Sequence, residues 1–222
     1  MRKINPLISQ KFLEAIKNQK HKMKVVEGVK IMTCPGVYPP QSGFSRATKK
    51  LHNIFGNING KIILDIGTAT GIQAIHAAIN GAEKVIATDI SKKAVECAKE
   101  NVALNNLEDK ITVIKSDLFE RLPKIKFDVI VANLPIVDYP AQGIVGFALY
   151  DHGLKIHKKL FNEAPKYLKN DGSIVFCHAN LQSDDDFKII ESIIQKTSLH
   201  VTQTFEKKQI GYVWKMYKLK LK

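Results

Sequence analysis

The sequence predicts an α/β fold built on a seven-stranded, mostly parallel sheet that ends in an antiparallel hairpin and carries helices on both faces. Three observations predict it. From residue 61 onward, short apolar runs alternate with stretches in which apolar residues recur at helical spacing. The runs are continuous rather than alternating, as in Ile62-Ile63-Leu64-Asp65-Ile66, which is the pattern of strands covered on both faces. The last two runs turn at Gly211, too tightly for the crossover that parallel neighbours need.

Taken in order, residues 1–24 read as a basic helix around Phe12, Leu13 and Ile16 followed by a Lys-rich turn, and 24–32 as a strand or hairpin. Three prolines, Pro35, Pro39 and Pro40, preclude regular structure over 34–40, and a short helix is expected over 46–55. The strand at 62–66 leads into a helix carrying Ile72, Ile75 and Ile79, with Gly81 where a C-terminal cap belongs. A strand at 84–90 precedes a helix capped by Ser91, whose Ala94, Val95, Ala98 and Val102 share a face. Strands follow at 111–116 and 127–132, then a helix over about 154–168 that stops at Asn170-Asp171-Gly172, and a strand at 173–178. Asp184, Asp185 and Asp186 open another helix, where negative charge suits the N-terminal dipole. Strands at 199–207 and 212–219 complete the chain.

Length and composition narrow the class. The 222 residues suffice for one large domain with a full core, expected over 37–222, behind an N-terminal extension over 1–36. No apolar run reaches the roughly 18 residues of a membrane helix, and no secretory signal opens the chain, so a cytoplasmic protein is expected. Cys34, Cys97 and Cys177 are odd in number and far apart, which argues against a disulfide framework or zinc cluster and for a reducing compartment. Thirty-four basic residues against twenty-one acidic leave a net charge of +13. That field attracts polyanions such as RNA or a ribonucleoprotein. An even scatter of solvated lysines accounts for it equally well.

In a doubly wound sheet of this kind, ligands bind beyond the carboxyl ends of the strands. The first strand ends in Asp65-Ile66-Gly67-Thr68-Ala69-Thr70-Gly71. Its glycines let the backbone turn sharply and approach a ligand, and the helix that follows offers free N–H groups. The second strand ends in Asp89-Ile90, placed to bind ribose hydroxyls, and the third in Ser116-Asp117, placed to meet an adenine amino group. Each acid alone reads as an ordinary strand-end residue; three at consecutive strand ends mark a nucleoside site. A nicotinamide dehydrogenase needs G-x-G-x-x-G, and here Ala69 and Ile72 stand at the second and third positions. A hydrolase would need a G-x-S-x-G elbow, which is absent around Ser42 and Ser45.

The fourth strand runs into Asn133-Leu134-Pro135-Ile136. With this loop the chain resembles the class I methyltransferases of Rossmann-like fold that carry an Asn-Pro-Pro-Tyr-type motif, and among them the HemK group, which methylates glutamine side-chain amides in proteins. The resemblance covers roughly 36–180. It takes in Tyr38 and Pro39 of the approach segment, the glycine motif, Asp89, Ser116-Asp117, the Asn133 loop, and Tyr150-Asp151-His152-Gly153-Leu154. It implies S-adenosylmethionine as cofactor, held by Asp65, Gly67, Thr68, Ala69, Gly71, Asp89, Ile90, Ser116, Asp117 and Asn133. It implies catalysis by the loop 133–136, and acceptor contacts from Tyr38, Pro39, Tyr139 and Asp151.

The chemistry of the loop can be argued independently. An amide nitrogen is a poor nucleophile because its lone pair is delocalised. The Asn133 side-chain oxygen and the Leu134 carbonyl could accept its two N–H bonds and direct the lone pair at a methyl group. Pro135 would stiffen the loop. Two departures stand out: Ile136 replaces the aromatic that stacks on a planar target, with Tyr139 the nearest candidate substitute, and Ala69 replaces the middle glycine.

No metal site is expected. His152 and His157 are five apart, on different faces of a helix, and read as solvated. Phe205 to Lys208 and Tyr212 to Lys215 mix aromatic and basic residues, as either a nucleic-acid surface or a solvated hairpin would. The expected activity is therefore N-methylation of an amide or amino group of a protein side chain or small molecule. The alternatives are methylation of an RNA base and a catalytically silent RNA- or protein-binding module.

Overall fold

A computed structural model of the chain describes residues 6–40, 56–141, 143–209 and 211–222; the helix expected over 46–55 lies outside the described residues. The chain opens with helix α1 (Pro6–Lys17) and a hairpin of β1 (Lys22–Val26) and β2 (Val29–Thr33). Glu27 and Gly28 form its two-residue turn, both at positive φ, so the ambiguous segment 24–32 resolves as a hairpin.

The main sheet contains β3 (Ile62–Ile66), β4 (Lys84–Asp89), β5 (Ile111–Lys115), β6 (Phe127–Ala132), β7 (Leu168–Ala179), β8 (Leu199–Gln209) and β9 (Tyr212–Leu221). Their spatial order is β5-β4-β3-β6-β7-β9-β8. The first five are parallel; β9 runs antiparallel to β8, as the tight turn at Gly211 requires, and also antiparallel to β7.

Helices α2 (Ile72–Ile79), α3 (Lys92–Leu104), α5 (Lys155–Glu163) and α6 (Asp186–Gln195) cover the sheet, and a single-turn α4 (Gly143–Gly146) lies after β6. The strands alternate between two buried layers. Ile63, Val85 and Val129 pack with Ile75 of α2 and Ala98 of α3, while Leu64, Ile86 and Ile130 pack with Phe161 of α5 and Ile190 of α6. Burial on both faces explains why the strands are continuously apolar.

Two expectations need correction. The helix expected to reach residue 168 ends at Glu163, and 164–167 tighten into a 3-10 turn. Pro165 lacks the N–H that an α-helix would need there. The following strand accordingly starts at Leu168 rather than 173, and Leu168 pairs with Phe127 across an irregular register. The second correction concerns cysteine. Cys34, just after β2, and Cys97 on α3 are joined in a disulfide across 63 residues. Their remoteness in sequence says nothing about proximity once the hairpin packs on α3. Cys177 is free and buried in β7.

Candidate active site

β3 is the point where the strand order reverses: the chain next builds β4 and β5 on one side of it and later β6 on the other. The loops leaving β3 and β6 therefore part over a crevice. Ile66 pairs with Ala132, so the chain leaves the sheet side by side at Gly67 and Asn133. A cavity of about 310 Å³ opens there. Of the residues named from sequence for cofactor binding and catalysis, Asp65, Gly67, Thr68, Ala69, Asp89, Ile90, Ser116, Asp117 and the loop 133–136 line it, and Gly71 does not.

The glycine loop is shaped by its own hydrogen bonds. The N–H groups of Gly67 and Thr68 both donate to the Thr88 carbonyl, tying the turn to β4, and the Gly71 N–H donates to the Thr68 carbonyl. Gly71 is needed for two reasons: its φ is +82°, and a Cβ there would stand 3.3 Å from that of Ala98. Ala69 has a φ of +51°, so a side chain occupies a left-handed position that glycine would fill without strain. Its N–H donates to Asp89 Oδ2 at 3.0 Å, while the Ser91 N–H donates to Asp89 Oδ1 at 2.9 Å. Asp89 is thus fixed by backbone while facing the cavity.

Asp65 is buried and accepts a 2.6 Å hydrogen bond from Thr68 Oγ1. Its burial, with a smaller push from the Asp89 charge, raises its pKa to about 7 against the pull of that hydrogen bond. Burial also raises the pKa of Asp89. Ser116 turns its hydroxyl inward, donating to the Leu118 carbonyl and accepting from the Arg121 N–H, which leaves Asp117 at the rim in an ion pair with Lys159 at 3.2 Å.

The acceptor side differs from expectation. Tyr38 and Pro39 line the cavity with Ile136, but Tyr139 does not; it is half exposed and its ring packs on Tyr150. Phe147 and Trp214 instead contribute aromatic walls beside Ile136. Sequence reasoning missed both. Phe147 follows the unpredicted helix α4, and Trp214, the only tryptophan, reaches the site from β9. Asp151 lies away from the cavity, buried, with Oδ1 accepting from the Ile156 N–H and Oδ2 from that of His157. Its Oδ2 also pairs with His157 Nδ1 at 2.7 Å. His157, expected to be solvated, is fully buried against Asp151, six residues before it, and His152 pairs with Asp138.

Three acids at adjacent strand ends, a glycine turn at the reversal point and an Asn-x-Pro loop beside it define an S-adenosylmethionine-dependent methyltransferase of the class I, HemK-like kind. The cavity fits the cofactor: its size is that of a small-molecule pocket, and its lining joins the carboxylates of Asp65, Asp89 and Asp117 with apolar and aromatic side chains. The chain belongs to the family described as "Methyltransferase small domain", whose pattern matches residues 28–206.

It is 34% identical over 167 residues to a protein of Methanocaldococcus jannaschii provisionally named protein N5-glutamine methyltransferase, covering 72% of this chain and 81% of that one. It is 36% identical over 124 residues to the ribosomal protein uL3 glutamine methyltransferase of Bordetella pertussis, covering 50% of this chain and 41% of that one. The similarity to the ribosomal protein L11 methyltransferase of Carboxydothermus hydrogenoformans spans only 24% of that protein. Among solved structures, the fold matches a ribosomal protein L11 methylase of Lactobacillus delbrueckii with a TM-score of 0.65 at 22% identity, covering 91% of this chain and all of that one. It matches Trm5b of Pyrococcus abyssi with a TM-score of 0.69 at 18% identity, covering 92% of this chain and 56% of that one.

Proposed function

We propose that the protein transfers the methyl group of S-adenosylmethionine to the side-chain amide nitrogen of a glutamine in another protein. The observation that carries the reading is that Asn133-Leu134-Pro135-Ile136 leaves β6 beside the glycine loop of β3 and lines the same cavity as Asp65, Asp89, Tyr38, Phe147 and Trp214. The names of the Methanocaldococcus and Bordetella relatives support it.

Asp89 would hold the ribose, Asp65 and the glycine loop would border the cofactor's polar tail, and Ile90, Leu118 and Leu134 would enclose the adenine. The cofactor, when bound, supplies an electrophilic methyl group on a sulfonium. The protein's part is alignment and exclusion of water. Asn133 Oδ1 and the Leu134 carbonyl would accept the two amide N–H bonds, and Pro135 would keep both acceptors in place. Ile136, Phe147 and Trp214 would enclose the neutral amide on its apolar sides, so that Ile136 need not stack.

The test is transfer of label from S-adenosylmethionine to cell-extract fractions, followed by peptide mapping of the labelled residue. Label on glutamine amide nitrogen is expected, and label confined to RNA would overturn the reading. Asn133→Ala is expected to keep the fold and cofactor affinity while lowering single-turnover rate on the order of a hundredfold. A normal rate in that variant would remove the loop from catalysis.

A further inference from the structure

Outside the methyl-transfer cavity, four side chains with metal-binding atoms converge where the N-terminal hairpin meets α3. His21 precedes β1 and Cys34 follows β2; the register pairs Lys22 with Thr33, so His21 and Cys34 face each other across the open end of the hairpin. Cys97 and Glu100 lie three apart on α3, on one face of the helix. His21 Nε2 is 3.0 Å from Glu100 Oε2, and Cys34 Sγ is 4.0 Å from the same oxygen. These three donor atoms all lie within 4.8 Å of one another, and Cys97 Sγ is bonded to that of Cys34.

The geometry points to a structural site for a divalent zinc-type ion, formed by His21, Cys34, Cys97 and Glu100 when the two cysteines are reduced. Two sulfurs, one imidazole nitrogen and one carboxylate oxygen are the donor types a tetrahedral Zn²⁺ takes. Bonds of about 2.0 Å to N or O and 2.3 Å to S give tetrahedral edges of roughly 3.3–3.8 Å. The His21–Glu100 and Cys34–Glu100 separations bracket that range. The two sulfurs must part to bring Cys97 in as the fourth ligand, which reduction permits. Two ligands from a hairpin mouth and two from one helix turn make a clip between separate parts of the chain.

The disulfide and the metal-bound pair are alternative states of one clip. A phosphine reductant converts the disulfide to two thiols and is itself oxidised to the phosphine oxide, taking its oxygen from water. Binding of the ion then replaces the two thiol protons, which leave to solvent. The clip bears on the methyl-transfer site through its neighbours. Cys34 leads directly into 36–40, which line the cavity, and Cys97 follows Ala94, a lining residue that packs with Val37, by about one helical turn.

The experiment uses the full chain, reduced with a phosphine, stripped of metal and titrated anaerobically with Co²⁺. One equivalent is expected to bind with a thiolate-to-metal absorption band, to be displaced by Zn²⁺, and to raise the melting temperature. Cys97→Ser is expected to lose most of the band. His21→Ala, at a half-exposed position, should fold normally by circular dichroism and bind Co²⁺ roughly tenfold or more weakly, with an altered visible spectrum. Absence of stoichiometric binding by the reduced chain would overturn the site. So would equal binding by the oxidised chain, or an unchanged spectrum in both variants.

Discussion

At the scale of single residues, the cavity is a set of acids whose protonation the fold controls. Asp65 has a pKa near 7 in the folded chain against an ordinary value of 3.8. Between about pH 4 and 7 the folded state keeps a proton that the unfolded state has released, so this residue makes stability fall as pH rises through that window, and level off above it. A cofactor with net positive charge favours the ionised form. S-adenosylmethionine affinity is therefore expected to rise with pH up to about 7 and then flatten, and Asp65→Asn should make that dependence shallower, leaving the part that Asp89 contributes. Titration calorimetry across the window checks it; an identical slope in the variant would sink the assignment. Ala69, at a φ of +51°, makes the opposite kind of prediction. Ala69→Gly should raise stability by about 0.5–1 kcal/mol, because a left-handed alanine costs more than the added freedom of glycine in the unfolded chain. A lower melting temperature would show that the strain is relieved elsewhere.

At the scale of elements, α3 organises the site more than its sequence advertises. Its apolar face was legible from Ala94, Val95, Ala98 and Val102, all of which are buried. Its fully buried Asn101 was not, since asparagine in a helix reads as solvated. The Asn101 side chain accepts from the Met32 N–H at 2.6 Å and donates to the carbonyls of Met32 and Thr70. One amide thus fastens β2 and the glycine loop to the same helix. Asn101→Ala should cost on the order of 2–4 kcal/mol, since it leaves buried backbone groups without partners. It should also weaken cofactor binding through the displaced loop. Denaturant melts with parallel cofactor titrations check both effects, and a loss of stability with unchanged affinity would confine the clamp to folding.

At the scale of the whole molecule, the sheet reversal beside β3 decides where chemistry can happen, and net charge decides what approaches. The charge of +13 draws polyanions, but Tyr38, Ile136, Phe147 and Trp214, which line the cavity, are uncharged apolar and aromatic residues. Transfer to a neutral glutamine peptide is expected to change by less than about threefold between roughly 50 and 200 mM salt. An RNA acceptor held by six or more phosphate contacts would lose on the order of a thousandfold over the same range. Initial rates at fixed substrate separate the two, and a steep loss with the peptide would place charged contacts in the acceptor site. Among the described residues, no helix is long and apolar enough to cross a membrane.

What the sequence determined by itself was local and periodic. Continuous apolar strands, helices spaced between them and the tight turn at Gly211 dictate a doubly wound sheet with a reversed final strand, and such a sheet concentrates binding residues at its strand ends. Asp65, Asp89, Ser116-Asp117 and Asn133 could therefore be named from their places in the pattern alone. Tertiary structure decided everything that joins remote segments. It exchanged Tyr139 for Phe147 and Trp214 in the cavity wall and brought Cys34 to Cys97. Periodicity reports which face of an element is buried. It carries no information about which other element that face meets, because the partner is chosen by packing across the whole core.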